Sequence, residues 1–224
     1  MKKILMCGIL AAASMTLLAQ EKGYLTGSFE GNKMSKIDII NKALGMLGAN
    51  QIATLEDKTL EAEAGNKMYR SSLDSVLAET DWTFAIKRSL LTLSEDKHPA
   101  WGEGNYFELP ADLIKIVDVM DRDVFWRREG NYIFTPASEF GLVYVARCVD
   151  PSYYPPYFID ALSAKLAVEM CYLLTNSTEK TNVLIDLYRG EYLPIAKTKN
   201  AREKSHPIIE DSHWVNGTLR SYWG

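Results

Sequence analysis

The order of apolar periods along the chain predicts an α+β fold: mainly an α-helical bundle of two helix pairs, with a small antiparallel β-sheet inserted and an extended C-terminal arm. Three observations carry this. Residues 35–85 and 156–203 repeat apolar side chains every three or four positions, the period of one helix face. Residues 89–150 instead hold short apolar runs divided by Gly, Pro and Asp, which is strand-and-turn patterning. Residues 205–224 hold Pro, Gly, His and two Trp without a period, and read as an arm. A length of 224 residues, 47% of them hydrophobic and 24% charged, is enough for one domain with a sizeable core.

The first helix starts at Ser35, with Ile37, Ile40, Leu44 and Leu47 as its stripe and Gly48 as its stop. A loop through Ile52 and Leu55 leads to a second helix over Lys58 to Glu79, with Leu60, Ala64, Met68, Leu73, Val76 and Leu77 inward. Ala64 and Gly65 leave room there for a close neighbour. Trp82 and Phe84 follow at the helix end. Strands are expected at Ser89–Leu93, Tyr106–Leu109, Leu113–Met120, Val124–Arg127, Tyr132–Phe134 and Leu142–Arg147, with Gly130-Asn131 supplying the positive-φ residues of a tight hairpin. Pro155-Pro156 suits the start of a third helix running to Leu174, with Phe158, Leu162, Leu166, Met170 and Leu173 buried. A fourth helix is expected over Thr178 to Ala201, with Leu184, Leu187, Tyr188 and Ile195 inward and a kink at Pro194.

Residues 1–33 carry a different signal. Lys2 and Lys3 precede an apolar run from Ile4 to Ala19, the pattern of an export leader. "NKMSKIDIINKALGMLG" then reads as a second beginning at Met34. The expectation is a join, with a leader ahead of a chain whose own fold is residues 34–204. The body's two cysteines, Cys148 and Cys171, make no disulfide framework and are expected as buried free thiols.

Charge and motif content narrow the function. The net charge is −4; taking the four Lys and two Glu of residues 1–33 from totals of 25 and 29 leaves 21 and 27, a net of −6. That balance argues against a surface built to neutralise phosphates. His98, His206 and His213 sit in polar, loop-like contexts without metal-ligand spacing, and no phosphate-binding glycine pattern or nucleophile elbow occurs. Glu61, Glu63, Glu79 and Asp81 read as solvated helix-surface acids, not a glycosidase pair. The expectation is a protein that is not an enzyme and carries no cofactor or metal.

Four segments stand out together: "IINKALGMLGANQIATLED", "AEAGNKMYRSSLDSVLAETDWTFAIKR", "YFELPADLIKIVDV" and "DSHWVNGTLRSYW". In order and spacing they resemble the head-to-tail adaptor of short-tailed bacteriophages, the tail tubular protein A family, over Ser35 to Gly224. Leu47-Gly48 match the family's leucine–glycine helix end, and Trp82 and Phe84 its tryptophan–x–phenylalanine closure. Pro110 and Asp112 fall in a further shared segment, and all six positions are expected to be structural. The resemblance implies a homo-oligomeric ring, commonly of twelve copies, docked beneath the portal protein and carrying the tail nozzle. DNA would pass through without sequence-specific binding, and no membrane is involved. Trp214, Arg220, Tyr222 and Trp223 in the arm become the candidate oligomer or partner contacts, since buried aromatics and Arg anchor interfaces. The implied location is the virion, assembled in the host cytoplasm. The leader points to the alternative, a secreted or periplasmic α+β binding module.

The join is open to mass spectrometry of the native protein from virions. An N-terminus at Met34 or Ser35 is the expected result, and a recovered peptide spanning Gly31 to Ile37 would sink it.

Overall fold

The computed structural model describes residues 34–100 and 102–204, which belong to one unit. The expected leader and C-terminal arm lie outside the described residues. The fold is α+β.

Helix α1, Lys36–Leu47, opens with a reciprocal capping box: Asp38 N–H donates to Ser35 Oγ at 3.3 Å while Ser35 N–H donates to the Asp38 carboxylate at 2.8 Å. It ends at Gly48, whose φ of +67° is the left-handed conformation that glycine adopts without strain. Helix α2, Leu60–Ala78, is capped by Thr59. The loop between them is pinned from both sides. Asn41 of α1 bonds both backbone groups of Ile52, at 2.8 and 2.9 Å, and Asn66 of α2 donates to the Leu55 carbonyl at 2.6 Å.

Helix α3, Pro156–Thr175, is the centre of the bundle and packs against α1, α2, α4 (Thr178–Leu187) and α5 (Leu193–Glu203). The two sequence-distant pairs therefore share one helix. Phe158, Leu162, Leu166 and Met170 are buried as expected, and so are Ile159, Ala161, Ala164 and Ala167 on its other sides. Most of its surface is apolar and buried, and its charged residues Asp160, Lys165 and Glu169 are held in ion pairs. Leu173, expected inward, is exposed near the α3 end. In α1, Ile39 joins the core while Ile37 is only half-buried; in α2, Leu60 is exposed and Met68 half-buried, with Tyr69 and Ser72 buried instead.

Between α4 and α5 the helix passes through a π turn, Tyr188–Tyr192, where the Leu193 N–H donates to the Tyr188 carbonyl. This stands where a kink at Pro194 was expected. Proline cannot supply the N–H of a regular α ladder, and the wider turn inserts one residue ahead of it. The inserted residue rotates everything after it. Leu184 and Tyr188 point inward as expected, but after the turn Leu193, Ala196 and Asn200 follow and Ile195 is left exposed; Leu187, ahead of the turn, is exposed as well.

The β-rich part forms two antiparallel three-stranded sheets, a correction to the single sheet expected. The first has the order β1 (Ile86–Leu90), β6 (Gly141–Ala146), β3 (Leu113–Val119). The second has the order β2 (Asn105–Glu108), β5 (Tyr132–Thr135), β4 (Arg127–Glu129). Strand β1 starts earlier than expected because Lys87 and Arg88 lie exposed on an edge strand, where charge is tolerated. Residues 124–126 precede β4 instead of forming it. In the β4–β5 hairpin Gly130 alone takes a positive φ, +66°; Asn131 does not.

Strand β3 carries two irregularities, at Ile114 and Val117, which lack partners in its pairing with β6. They replace a strict alternation with a step of three. Ile114 and Val117 pack toward the helical core, while Leu113, Ile116 and Val119 pack toward the second sheet. Strand β6 divides likewise, Val145 going one way and Leu142, Tyr144 and Ala146 the other. The first sheet is thus a middle layer, with helices on one face and Phe107, Ile133 and Phe140 on the other.

Helices α1 and α2 meet where Gly65 faces Ile40: a Cβ at Gly65 would lie 2.7 Å from Ile40 Cγ2. Gly65→Ala is expected to lower stability by about 1–2 kcal/mol, overriding the ~1 kcal/mol by which Ala normally favours a helix interior. In an Ile40→Ala background the loss disappears. Chemical denaturation of the four-member cycle measures this, and a stabilised single G65A variant would refute the close approach.

Candidate functional site

The six motif positions fall into two clusters and one helix stop. Leu47 is buried in the bundle and Gly48 terminates α1, which are structural roles. Trp214, Arg220, Tyr222 and Trp223 lie outside the described residues, as do His206 and His213.

The first cluster surrounds Trp82, which is fully buried. Its indole Nε1–H donates to the Val76 carbonyl at 2.8 Å, so the ring is fixed by the last turn of α2. Phe158 meets it edge-on with centroids 5.0 Å apart, and Tyr157 stacks at 6.4 Å. Phe84 is half-buried and contacts Phe158 at 4.7 Å and Tyr154 at 5.7 Å. Trp82 and Phe84 lie just before β1, while Tyr154, Tyr157 and Phe158 lie just after β6. The cluster therefore ties together both ends of the β-rich part.

Helix α5 reaches the same place. Buried Asn200 accepts from Thr83 N–H at 2.9 Å and donates to the Asp81 carbonyl at 2.9 Å. Glu203 accepts from the Tyr157 hydroxyl at 2.8 Å and the Thr83 hydroxyl at 3.0 Å. Burial, then the bond to Glu203, push the Tyr157 hydroxyl up to about 12. Asp81 is an ion-pair partner, not the solvated acid expected. Lys115 approaches it at 2.8 Å and Lys204 at 3.7 Å, and the Lys115 bond holds the carboxyl below its ordinary value. Glu79 pairs with Lys197 at 3.0 Å.

The second cluster is built on Pro110 and Asp112. The Pro110 carbonyl accepts from Leu113 N–H at 3.0 Å, turning the chain into β3. The Asp112 carboxylate accepts from Lys87 Nζ of β1 at 2.6 Å and from the Tyr144 hydroxyl of β6 at 3.1 Å. Its carbonyl accepts from Arg147 N–H at 2.7 Å. One residue thus fastens all three strands of the middle sheet. Arg147 continues the network to the helices through a two-pronged bond to Asp74 of α2, at 2.6 and 2.8 Å. Nothing in the local sequence marks Asp74 and Arg147 as partners, since 73 residues separate them.

Cys171 is buried and Cys148 half-buried, both as free thiols. Among the described residues no three His, Cys, Asp or Glu side chains are grouped to hold a metal ion. Also among the described residues, no helix is long and apolar enough to cross a membrane. What the outer layers offer instead is apolar surface. Leu90, Met120 and Phe125 are 60–68% exposed on the β-rich part, and Leu90 and Met120 flank a groove of about 470 Å³.

No model of a known protein family matches the chain, and no curated protein matches it.

Burial works to raise the Asp112 carboxyl, but the bonds from Lys87 and Tyr144 outweigh it and the folded value falls below the ordinary 3.8. A depressed folded value stabilises the ionised state above the unfolded value, and that contribution is lost as pH falls through the folded one. The thermal midpoint is therefore expected to drop as pH is lowered from above 4 toward the folded value. Asp112→Asn should cost ~1 kcal/mol at neutral pH and flatten that acid limb. Unfolding scans of both proteins across pH test this; an acid limb of unchanged depth in D112N would refute it.

Proposed function

We propose that this chain is a structural virion protein, the head-to-tail adaptor of a short-tailed phage particle. It is a subunit of a homo-oligomeric ring between portal and tail nozzle, through which DNA passes. The observation that carries the reading is the aromatic closure at Trp82 and Phe84. There a helix bundle and a layered β-rich part leave from one fixed point, so each can face a different neighbour. A ring needs two unlike complementary faces on each subunit. The exposed Leu90, Met120 and Phe125 are apolar surface of the type that partner contacts cover. Net acidity suits a channel that DNA traverses, because neutralising phosphates is what makes nucleic acid stick. The export-like leader favours a second reading, a secreted or periplasmic binding module.

Light scattering and negative-stain microscopy of the full chain, alone and with a short-tailed phage portal protein, separate the two readings. A ring with a central channel seated on the portal is the expected outcome. A monomer that ignores the portal and accumulates in the periplasm would overturn it.

A further inference from the structure

A pocket of about 490 Å³ opens between α1, α2 and the turn into β3, with Asp112 and Arg147 of the second cluster on its wall. Its apolar lining is the edge of the buried Tyr69 and Leu73 together with Val149, which is 68% exposed. Cations surround it. Arg147 is neutralised by Asp74, and the rim carboxylate of Asp112 is taken by Lys87 and Tyr144. Lys36 Nζ donates to Asn66 at 3.0 Å and lies 5.0 Å from the centre of the Tyr69 ring, with no carboxylate partner among the described residues. Arg70 is exposed on the rim and likewise has no ion pair among them. Two positive charges are left over beside apolar surface that faces water.

The complement lies on α4 of the same chain. Val183 and Leu187 are 61% and 37% exposed, one turn apart on the side away from the inward Leu184 and Tyr188. Exposed Glu179 extends that row by one turn, exposed Glu191 follows it in the π turn, and Asp186 stands beside it. None of these three acids has an ion pair among the described residues. The basic residue nearest the start of the row, Lys180, is turned to the Leu47 carbonyl at 2.6 Å. Helices α2 and α4 each pack on α3, so the pocket and the ridge belong to separate elements with α3 between them.

We propose that the pocket at Lys36, Tyr69, Arg70, Leu73, Arg147 and Val149 receives the Val183–Leu187 ridge of α4 from a second copy of this chain. The contact rests on the ring reading above and gives it a head-to-tail interface. Apolar side chains fill the pocket while the flanking acids meet Lys36 and Arg70. Because pocket and ridge are different surfaces, each copy has one of each to offer, and contacts can propagate until a ring closes. Charge complementarity sets the pairing and makes it sensitive to salt.

Sedimentation velocity on the full chain tests this with one variant for each face: Arg70→Glu spoils the pocket, and Leu187→Glu spoils the ridge. Each alone should weaken self-association roughly 10- to 100-fold. Mixed in equal amounts, the two should form a dimer and stop there, since each retains the face the other lacks. Thermal melting confirms that both variants fold, and the charge reversal Asp186→Arg, at an exposed position, replaces L187E if that variant melts early. Rings formed by R70E and L187E as readily as by the unaltered chain would overturn this interface and leave the ring reading standing. An unaltered chain that stops at a dimer, with both variants monomeric alone, would support the interface and overturn the ring. Failure of the unaltered chain to associate, both alone and with the portal protein present, would overturn both.

Discussion

The burial of one indole ring holds this fold together. Trp82 sits where α2 ends, where the β-rich part begins and ends, and where α5 docks. Its Nε1–H is satisfied by the helix that precedes it, so the ring enters the core without leaving a polar group unpaired. Segments far apart in sequence then close around it: Tyr157 and Phe158 at the start of α3, and Thr83, clamped by Asn200 and Glu203 of α5. Closing loops of this length costs conformational entropy, and a large, flat, buried side chain with a satisfied donor is an efficient way to offset it.

The layered architecture depends on that closure and on two bulges. A strand between two cores normally sends alternate residues to alternate sides. Strand β3 instead sends Ile114 and Val117 to the helices and Leu113, Ile116 and Val119 to the second sheet. Its bulges bend the strand enough to serve both cores, and Asp112 anchors its start to β1 and β6. The Arg147–Asp74 pair then joins this middle sheet to α2. Apolar side chains are left exposed on the β layers, at Leu90, Met120 and Phe125, and on α4, at Val183 and Leu187.

Much of this was legible locally. The α1 cap at Ser35, its stop at Gly48, the proline start of α3 and the close approach at Gly65 follow from backbone chemistry within a few residues. The stripe of α3 was legible through Met170, because a helix buried in a bundle must be apolar along its length. The motif positions were visible as a pattern, and Trp82, Phe84, Pro110 and Asp112 each take part in fixing the fold. The inward face of α5 was not legible: the π turn before Pro194 shifts the register by one residue, exchanging Ile195 for Ala196. A period read in steps of 3.6 cannot register a single inserted residue.

The sequence by itself determined the α+β class, the order of elements and most helix boundaries, since these depend on caps, periods and breakers acting over short range. Only the tertiary structure decided that α3 serves both helix pairs, that the strands divide into two stacked sheets, and that Asp74 meets Arg147. It also decided that Asp81 is held between two lysines. The physical reason is common to all four. Strand pairing, ion pairing and the sharing of a helix are choices among long-range partners of similar local chemistry. They are settled by which arrangement buries Trp82 and both apolar layers at once.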